Sequence, residues 1–557
     1  MAIFQKSINK KLTHARRVLG IHPIIQFFLE KLGVDRIMSN HIAQDARLQL
    51  SVAKTLGVLI HNILVASTPM YEISDWSKRI CDSSLGLDES EVELIDDDRV
   101  GRALDIFYEG KHKSFFFQLA LRAIKIFDLD CSQIHNDTTT ITLSGKYRDW
   151  NAYEEAKRGM NKDHRPDLKQ LVLGLSVTSD GAVPLTHKVY SGNQSDDTSH
   201  VENHQQLRKL LQQSDFIYVA DSKLATTSNL FNIANYGGSF VTIMPRTWKE
   251  ADDFKKKAMN NEIKWKHLMS KKSSETNHEN KYDIATGNFS AGGYRLIWIR
   301  SDQKTVIDKQ SRTESVENVL AELKSLELKL NKRKLRTKIE INKKITSILK
   351  GYQCLDIIKY EIQSHRHYDK GYGKKGRPSP DEKGTLTWEQ SFSLIFFVDQ
   401  ISFDAAAMMD GVFPIVTNLA EDKKSAKDIL EIYKYQPFLE KRHSQMKTWQ
   451  QITPVLLKKG SRVVAYIHMH FLALMVASLI ERTIRKTIKK QKIEPLELYP
   501  EERVCDAPTF YDLERLFRDV EKYEVKNKDE VIYFPAELNQ LQKKVLNLLG
   551  VPLSLYQ

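Results

Sequence analysis

Hydrophobic positions change their spacing several times along the chain, and each change predicts a change of element. From residue 1 to about 126 the apolar residues recur at helical spacing: Ile24-Ile25, Phe27-Phe28-Leu29 and Leu32, then Leu56, Leu59-Ile60 and Ile63-Leu64. Ser51 ahead of helix formers predicts an N-cap, and Glu89 to Asp98 predicts an exposed acidic loop before the next helix. From about residue 127 strands take over. Ser132 to Leu143 is Thr-rich and partly alternating, whereas Gln170 to Val177 is a continuous apolar run, the pattern of a strand covered on both faces. Val183 to Tyr190 reads as a third strand, His200 to Leu211 as a helix, and Phe216 to Ala220 as a strand ending at Asp221. A helix over Ser222 to Asn235 and a strand over Ser239 to Met244 follow. Three adjacent strands followed by alternating helix and strand predict an α/β sheet of mixed direction.

Residues 247 to about 400 break the alternation. A polar stretch leads to a strand at Tyr294 to Arg300, then to one long charged helix over Glu314 to Leu349. From Lys332 to Lys350 eight Lys or Arg stand against one acid, Glu340: a solvated basic face, or one that tracks phosphates. Gly371 to Pro378 is a linker by composition, and its Gly376-Arg377-Pro378 core also suits an A·T-rich minor groove. Strand and turn return at 395 to 417, and a helical C-terminal third follows. Within it Tyr523 to Val531 reads as a polar linker and Leu538 to Leu549 as a closing helix. Val463 to Ile480 is 18 residues without a formal charge, near the lower limit for a membrane span. Tyr466, His468, His470 and Ser478 inside it, and no second such segment, predict a buried core helix instead.

Composition narrows the class. With 557 residues, 41% of them hydrophobic, two to four domains with a large core are expected, and wholesale disorder is excluded. The charge balance is 84 − 71 = +13. It favours a polyanionic partner such as nucleic acid, or reflects charge spread for solubility. The four cysteines are sparse and the closest pair is 131 − 81 = 50 residues apart, so CxxC metal or redox chemistry is excluded and a reducing compartment is expected. No apolar signal segment opens the sequence.

Three carboxylates stand where chemistry is expected. Asp137 lies inside the first strand, in Ile134-His135-Asn136-Asp137-Thr138-Thr139, Asp221 ends the FIYVA strand, and Glu440 sits on a later helix. Carboxylates at buried strands are costly unless paired or metal-bound, and hard divalent ions take such oxygen ligands. Tyr433, Gln436, Glu440 and Lys447 are spaced i, i+3, i+7 and i+14, one face of a continuous helix. Pro437 offers a different start for that helix, which leaves Tyr433 outside it. An exposed helix with incidental charges is the alternative reading.

These contexts resemble the DDE transposases of bacterial insertion sequences. Tyr433-x₂-Gln436-x₃-Glu440-x₆-Lys447 matches the Tyr-(2)-Arg-(3)-Glu-(6)-Lys signature of the insertion-sequence-4 superfamily, with Gln436 in place of Arg. The stretches Asp97 to Leu104, Arg165 to Gln170, Gly192-Asn193 with Asp196, and Gln436 to Arg442 look like its 1634-type branch. The resemblance covers most of the chain in order. It implies an RNase H-like mixed-sheet core interrupted by an insertion domain. The implied division is an N-terminal helical, DNA-end-binding domain (1–126), core halves at 127–246 and 401–490, an insertion (247–400) and a helical tail (491–557). It implies catalytic and metal-binding roles for Asp137, Asp221 and Glu440, with two Mg²⁺ ions, or Mn²⁺, per site. DNA contacts are expected from Tyr433, Gln436, Lys447, Arg246 and Arg377. The implied partners are terminal inverted repeats, target DNA and a second copy of the chain as a homodimer, with no membrane and no nucleotide cofactor. The setting would be the prokaryotic cytoplasm and nucleoid. A catalytically silent DNA-binding repressor and an RNase H-like structure-specific nuclease are the competing readings.

Overall fold

In the computed structural model the apolar run Gln170 to Val177 lies inside a ten-residue strand, with side chains of both parities buried. The structure describes residues 13–557 except 43–47, 148–149, 273–278, 286, 288, 333, 372–384, 500, 502 and 528–529. The chain divides into two compact units, Met1–Thr242 with Asp428–Gln557, and Ile243–Lys427.

The first unit is built on five strands: β1 (Gln133–Leu143), β2 (Lys169–Thr178), β3 (Pro184–Ser191), β4 (Ile217–Val219) and β5 (Ser239–Ile243). They lie in the order β3-β2-β1-β4-β5. The first three form an antiparallel meander, while β1, β4 and β5 run parallel. Helices α1 (His200–Leu211) and α2 (Thr227–Asn235) carry the chain from β3 to β4 and from β4 to β5. The mixed α/β sheet expected from the apolar runs is therefore present.

After the second unit the chain returns through α3 (Ala426–Tyr433), α4 (Gln436–Ser444) and α5 (Gly460–Gln491). The 32-residue α5 contains the uncharged run, and 94% of its most apolar window is buried inside the protein. It packs against helices Val52–Val65, Asp97–Glu109 and Gln540–Leu549 and against β3. Two of its charged residues, Glu481 and Arg482, are buried as well, and Arg482 donates to the carbonyls of Phe127 and Asp128 at 2.7 and 2.8 Å. The four cysteines are buried free thiols.

Several elements differ from the sequence reading. Ser51 caps its helix as expected, accepting from the Lys54 amide at 3.1 Å. The acidic stretch Glu89 to Asp98, expected as a loop, instead forms a one-turn helix (Glu89–Val92) closed by an Asp88–Glu91 capping box, then the start of the helix Asp97–Glu109. Its carboxylates act as caps because helix N-termini offer unpaired amides and a positive dipole end. Thr13–Val18 and the supposed linker around 523–531 form a three-stranded sheet, Glu521–Asn527 pairing with both Thr13–Val18 and Glu530–Phe534. Tyr523, Ile532 and Phe534 are each about half exposed there, so no apolar run marked the strands.

The second unit has four antiparallel neighbours, Val412–Thr417, Arg295–Ser301, Glu279–Ala285 and Lys266–Lys272 in that order. The single long helix expected over 314–349 is two helices, Asp302–Glu327 and Lys338–Gly351. The break holds Asn331 at φ +63°, and Thr337 caps the second helix by accepting from Glu340 N. Lys343, Lys344 and Lys350 face outward, opposite the buried Ile341, Ile345 and Leu349. A two-stranded ribbon, Ile358–Gly371 with Thr385–Val398, packs its base into the same core.

Buried neutral histidines give the first unit a pH dependence. Burial pushes His22, His187 and His470 down to about 3, and nearby His112 adds to the effect at His187. Each stays neutral when folded but takes a proton near 6.5 when unfolded. Their contribution is complete above about pH 6.5 and is lost as pH falls toward 3, each with a slope of about 1.4 kcal/mol per pH unit. The urea midpoint is expected to fall steadily between pH 6.5 and 5; a flat midpoint across that range contradicts this account.

Candidate active site

The two aspartates are brought together by strand register. In the parallel pair β1–β4, Ile134 stands beside Tyr218 and His135 beside Val219, a constant offset of 84. The same offset places Asp137 beside Asp221 (137 + 84 = 221), two residues beyond the last paired position on each chain. Adjacent parallel strands run about 4.8 Å apart, so continuing this register would bring the two aspartates near one level just beyond the paired segment. Asp137 is held inside β1, where Leu175 of β2 is its antiparallel partner. Asp221 lies past the end of β4, with its carboxylate accepting from Lys223 N at 3.0 Å and its carbonyl accepting from Thr242 Oγ1 at 2.6 Å. This is the C-terminal end of parallel strands, the usual location for ligands in open α/β sheets.

Glu440 is exposed on α4, and that helix packs on β1, the strand that carries Asp137. This helix begins at Gln436 with Pro437 in its first turn, α3 ends at Tyr433, and Lys447 sits on a following π-helical turn, Gln445–Trp449. The single continuous helix face is therefore replaced by three short segments. The three carboxylates nevertheless all bear on one side chain of this region, Tyr433. The Tyr433 hydroxyl is held well above its usual range, first by burial and then by the negative charges of Asp221, Glu440 and Asp137. A phenol sensing all three carboxylates stays protonated and remains a hydrogen-bond donor.

Gln436 takes a different place from the one expected. It is buried, its amide nitrogen donates to the Asn136 carbonyl at 3.2 Å, and its oxygen lies 2.9 Å from His135 Nδ1. That pairing assigns the Nδ1–H tautomer to His135, which burial lowers to about 4. Gln436 thus fastens the Glu440 helix to the Asp137 strand and does not face solvent. Gln436→Leu strands a buried imidazole N–H and a carbonyl, so unfolding stability is expected to drop by about 1–3 kcal/mol in urea titrations. Adding His135→Phe recovers part of the loss, because removing both partners removes the unpaired donor; no recovery argues against the pairing.

Further residues at the site carried no sequence signal. His443, one turn beyond Glu440, places Nδ1 3.7 Å from Asp137 Oδ2; burial, with Lys162 and Lys447 nearby, pushes it down to about 3. Lys162 Nζ lies 3.5 Å from Asp137 Oδ1 and also donates to the Thr138 carbonyl. Lys447 is paired with Asp163 at 2.7 Å. Arg442 leaves the same helix toward the interior and meets Glu481 of α5 at 2.7 Å. Arg246 is exposed on a turn of the second unit. Arg377 lies outside the described residues.

The donor set is oxygen-rich and anionic, which suits a hard divalent ion. Among the described residues, no three His, Cys, Asp or Glu side chains stand close enough together to form one metal cage. The chemistry of the group fits such an ion, while its spacing stops short of a closed coordination shell.

Comparison with known proteins adds a partial match. A family described as "Domain of unknown function (DUF4277)" matches residues 14–121, in the N-terminal part of the first unit. No curated protein matches. Among solved structures, the cryo-EM structure of a piggyBac transposase synaptic complex with hairpin DNA aligns over 90% of this chain and 81% of that chain. The identity is 8% and the TM-score 0.39, too low to establish a shared fold.

Proposed function

We propose that this chain is a DNA transposase of the DDE type. It would cleave phosphodiester bonds at the ends of an insertion sequence and join the freed 3′-hydroxyl to target DNA. The observation that carries the reading is the arrangement of Asp137 inside β1 and Asp221 just past the neighbouring parallel strand β4, with the Glu440 helix packed on β1 and the Tyr433 phenol in the field of all three carboxylates. The strand order of the first unit supports an RNase H-like core, and residues 243–427 stand where an insertion belongs between Asp221 and Glu440. A net charge of +13 suits a polyanionic substrate.

In this reading Asp137, Asp221 and Glu440 hold two Mg²⁺, or Mn²⁺, ions. When bound, these supply activation of the attacking oxygen and stabilisation of the leaving oxygen. The chain's own groups do the rest. Tyr433 donates its phenolic hydrogen beside the carboxylates. Lys447 meets a backbone phosphate once it leaves Asp163. Gln436 has no charged fork for phosphate and instead fixes the distance between α4 and β1. The DNA partners are terminal inverted repeats and target DNA, engaged by a homodimer on the nucleoid of a prokaryotic cytoplasm.

The test is incubation of the full chain, with Mg²⁺, with a labelled duplex spanning the junction between flanking DNA and the segment that encodes it. The expected product is a 3′-hydroxyl at the junction that is then joined to a second plasmid. Specific binding without cutting favours a silent repressor, and cutting governed by DNA structure instead of the junction favours a nuclease.

A further inference from the structure

We propose that Lys162 is the resident cation of this active site: it occupies Asp137 until a divalent ion displaces it, and its departure also frees Lys447. The inference rests on the metal-dependent reading above and concerns how that site is loaded.

Two consecutive residues of opposite charge are each paired with an opposite charge of the candidate site. Lys162 Nζ lies 3.5 Å from Asp137 Oδ1, and Asp163 Oδ1 lies 2.7 Å from Lys447 Nζ. The segment is laid along β1 by threonine hydroxyls. Lys162 N donates to Thr140 Oγ1 at 3.1 Å, Asn161 Nδ2 donates to Thr142 Oγ1 at 3.1 Å, and Thr142 Oγ1 donates to Asp163 Oδ2 at 2.8 Å. The Thr-rich character of β1 thus has a use beyond strand propensity.

Upstream the segment is clamped. Lys157 and Gln170 exchange backbone hydrogen bonds at 2.8 and 3.3 Å, and Gly192 N donates to the Glu155 carbonyl at 2.9 Å. Gly192 is required there: a Cβ would stand 1.9 Å from the Gln170 carbonyl oxygen and 2.5 Å from that of Lys157. The clamp fixes where residues 161–163 arrive, and the threonine hydrogen bonds and the two ion pairs hold them there.

The ammonium is replaceable. The Lys162 side chain is 42% exposed while Asp137 is 19% exposed, so the cation sits at the mouth and the carboxylate below it. A solvated ion pair of this kind contributes little, and a doubly charged ion with a preference for carboxylate oxygen outcompetes it. Because Lys162 and Asp163 are adjacent, displacement of one disturbs the other, and Lys447 becomes available to a DNA phosphate. Coupling of this kind is reciprocal: a phosphate that draws Lys447 from Asp163 loosens Lys162 and raises affinity for the ion.

The test is direct Mn²⁺ binding to the full chain without DNA, followed by the electron paramagnetic resonance signal of free Mn²⁺. Lys162→Met removes the competitor and is expected to tighten binding about three- to tenfold. Lys162→Arg keeps a cation and stays close to wild type. Asp137→Asn weakens binding in either background. A Lys162→Met protein whose Mn²⁺ affinity equals or falls below that of wild type overturns the inference while leaving the metal site in place. A wild-type protein whose Mn²⁺ binding is indifferent to Asp137→Asn removes the metal reading itself, and this inference with it.

Discussion

Asp221→Asn is expected to lower cleavage at least about 10³-fold, equivalent to about 4 kcal/mol of transition-state stabilisation, while binding to the same DNA persists. The substitution is nearly isosteric. The amide oxygen still accepts from Lys223 N, and the Thr242 hydroxyl bonds the backbone carbonyl at this position, which the change leaves alone. What is lost is the negative charge near the level of Asp137 on the neighbouring strand. Removing it also removes one of three charges bearing on Tyr433. Gel-based cleavage and fluorescence anisotropy under the same conditions separate the two effects. Activity within about tenfold of wild type places Asp221 outside the chemistry.

Arg442→Met is expected to destabilise the fold by about 3–5 kcal/mol, because it leaves a buried carboxylate without its partner. Arg442 and Glu481 are 4% and 1% exposed, and they meet at 2.7 Å. Arg442 also donates to the carbonyls of Ala182 and Gly181 at 3.0 and 2.8 Å, so one side chain ties α4 to α5 and to the β2–β3 turn. Burial alone would push Glu481 up, but Arg442, Arg485 and the Phe510 amide outweigh it and hold the carboxyl below its usual range. A depressed carboxyl stabilises the fold above its unfolded value near 4.5 and loses that contribution as the pH drops further. In urea titrations at neutral pH, Arg442→Met carries the full cost, and Arg442→Met with Glu481→Leu recovers most of it. A loss under about 1 kcal/mol in the single variant contradicts the anchoring role.

The parts of this architecture that were legible in sequence are those with strong local patterns. The QLVLGLSV run and the FIYVA strand identified the buried strands, and the strand-end position of Asp221 followed directly. Pro437 already offered the helix start that the structure adopts. The register that would bring Asp137 and Asp221 near one level was not legible, because it depends on which strands pair. Lys162 stands in a polar loop without periodicity, so nothing local distinguished it from other surface lysines. Gln436 was expected at phosphate because its spacing fits the signature; only the partner strand reveals that its amide is engaged with His135 and Asn136. The C-terminal strand pair was hidden for a related reason, since a small, half-exposed sheet needs no continuous apolar run.

The most direct measurement is cleavage of a labelled duplex carrying the segment's own ends, by wild type and Glu440→Gln side by side, with Mg²⁺ and with chelator. Glu440 is the residue that three short segments and a 219-residue separation from Asp221 (440 − 221) had to bring into place. The account predicts Mg²⁺-dependent cutting at the segment boundary by wild type, no cutting with chelator, and none by Glu440→Gln, which still binds. Equal cutting by the two proteins, or cutting that ignores the chelator, contradicts it.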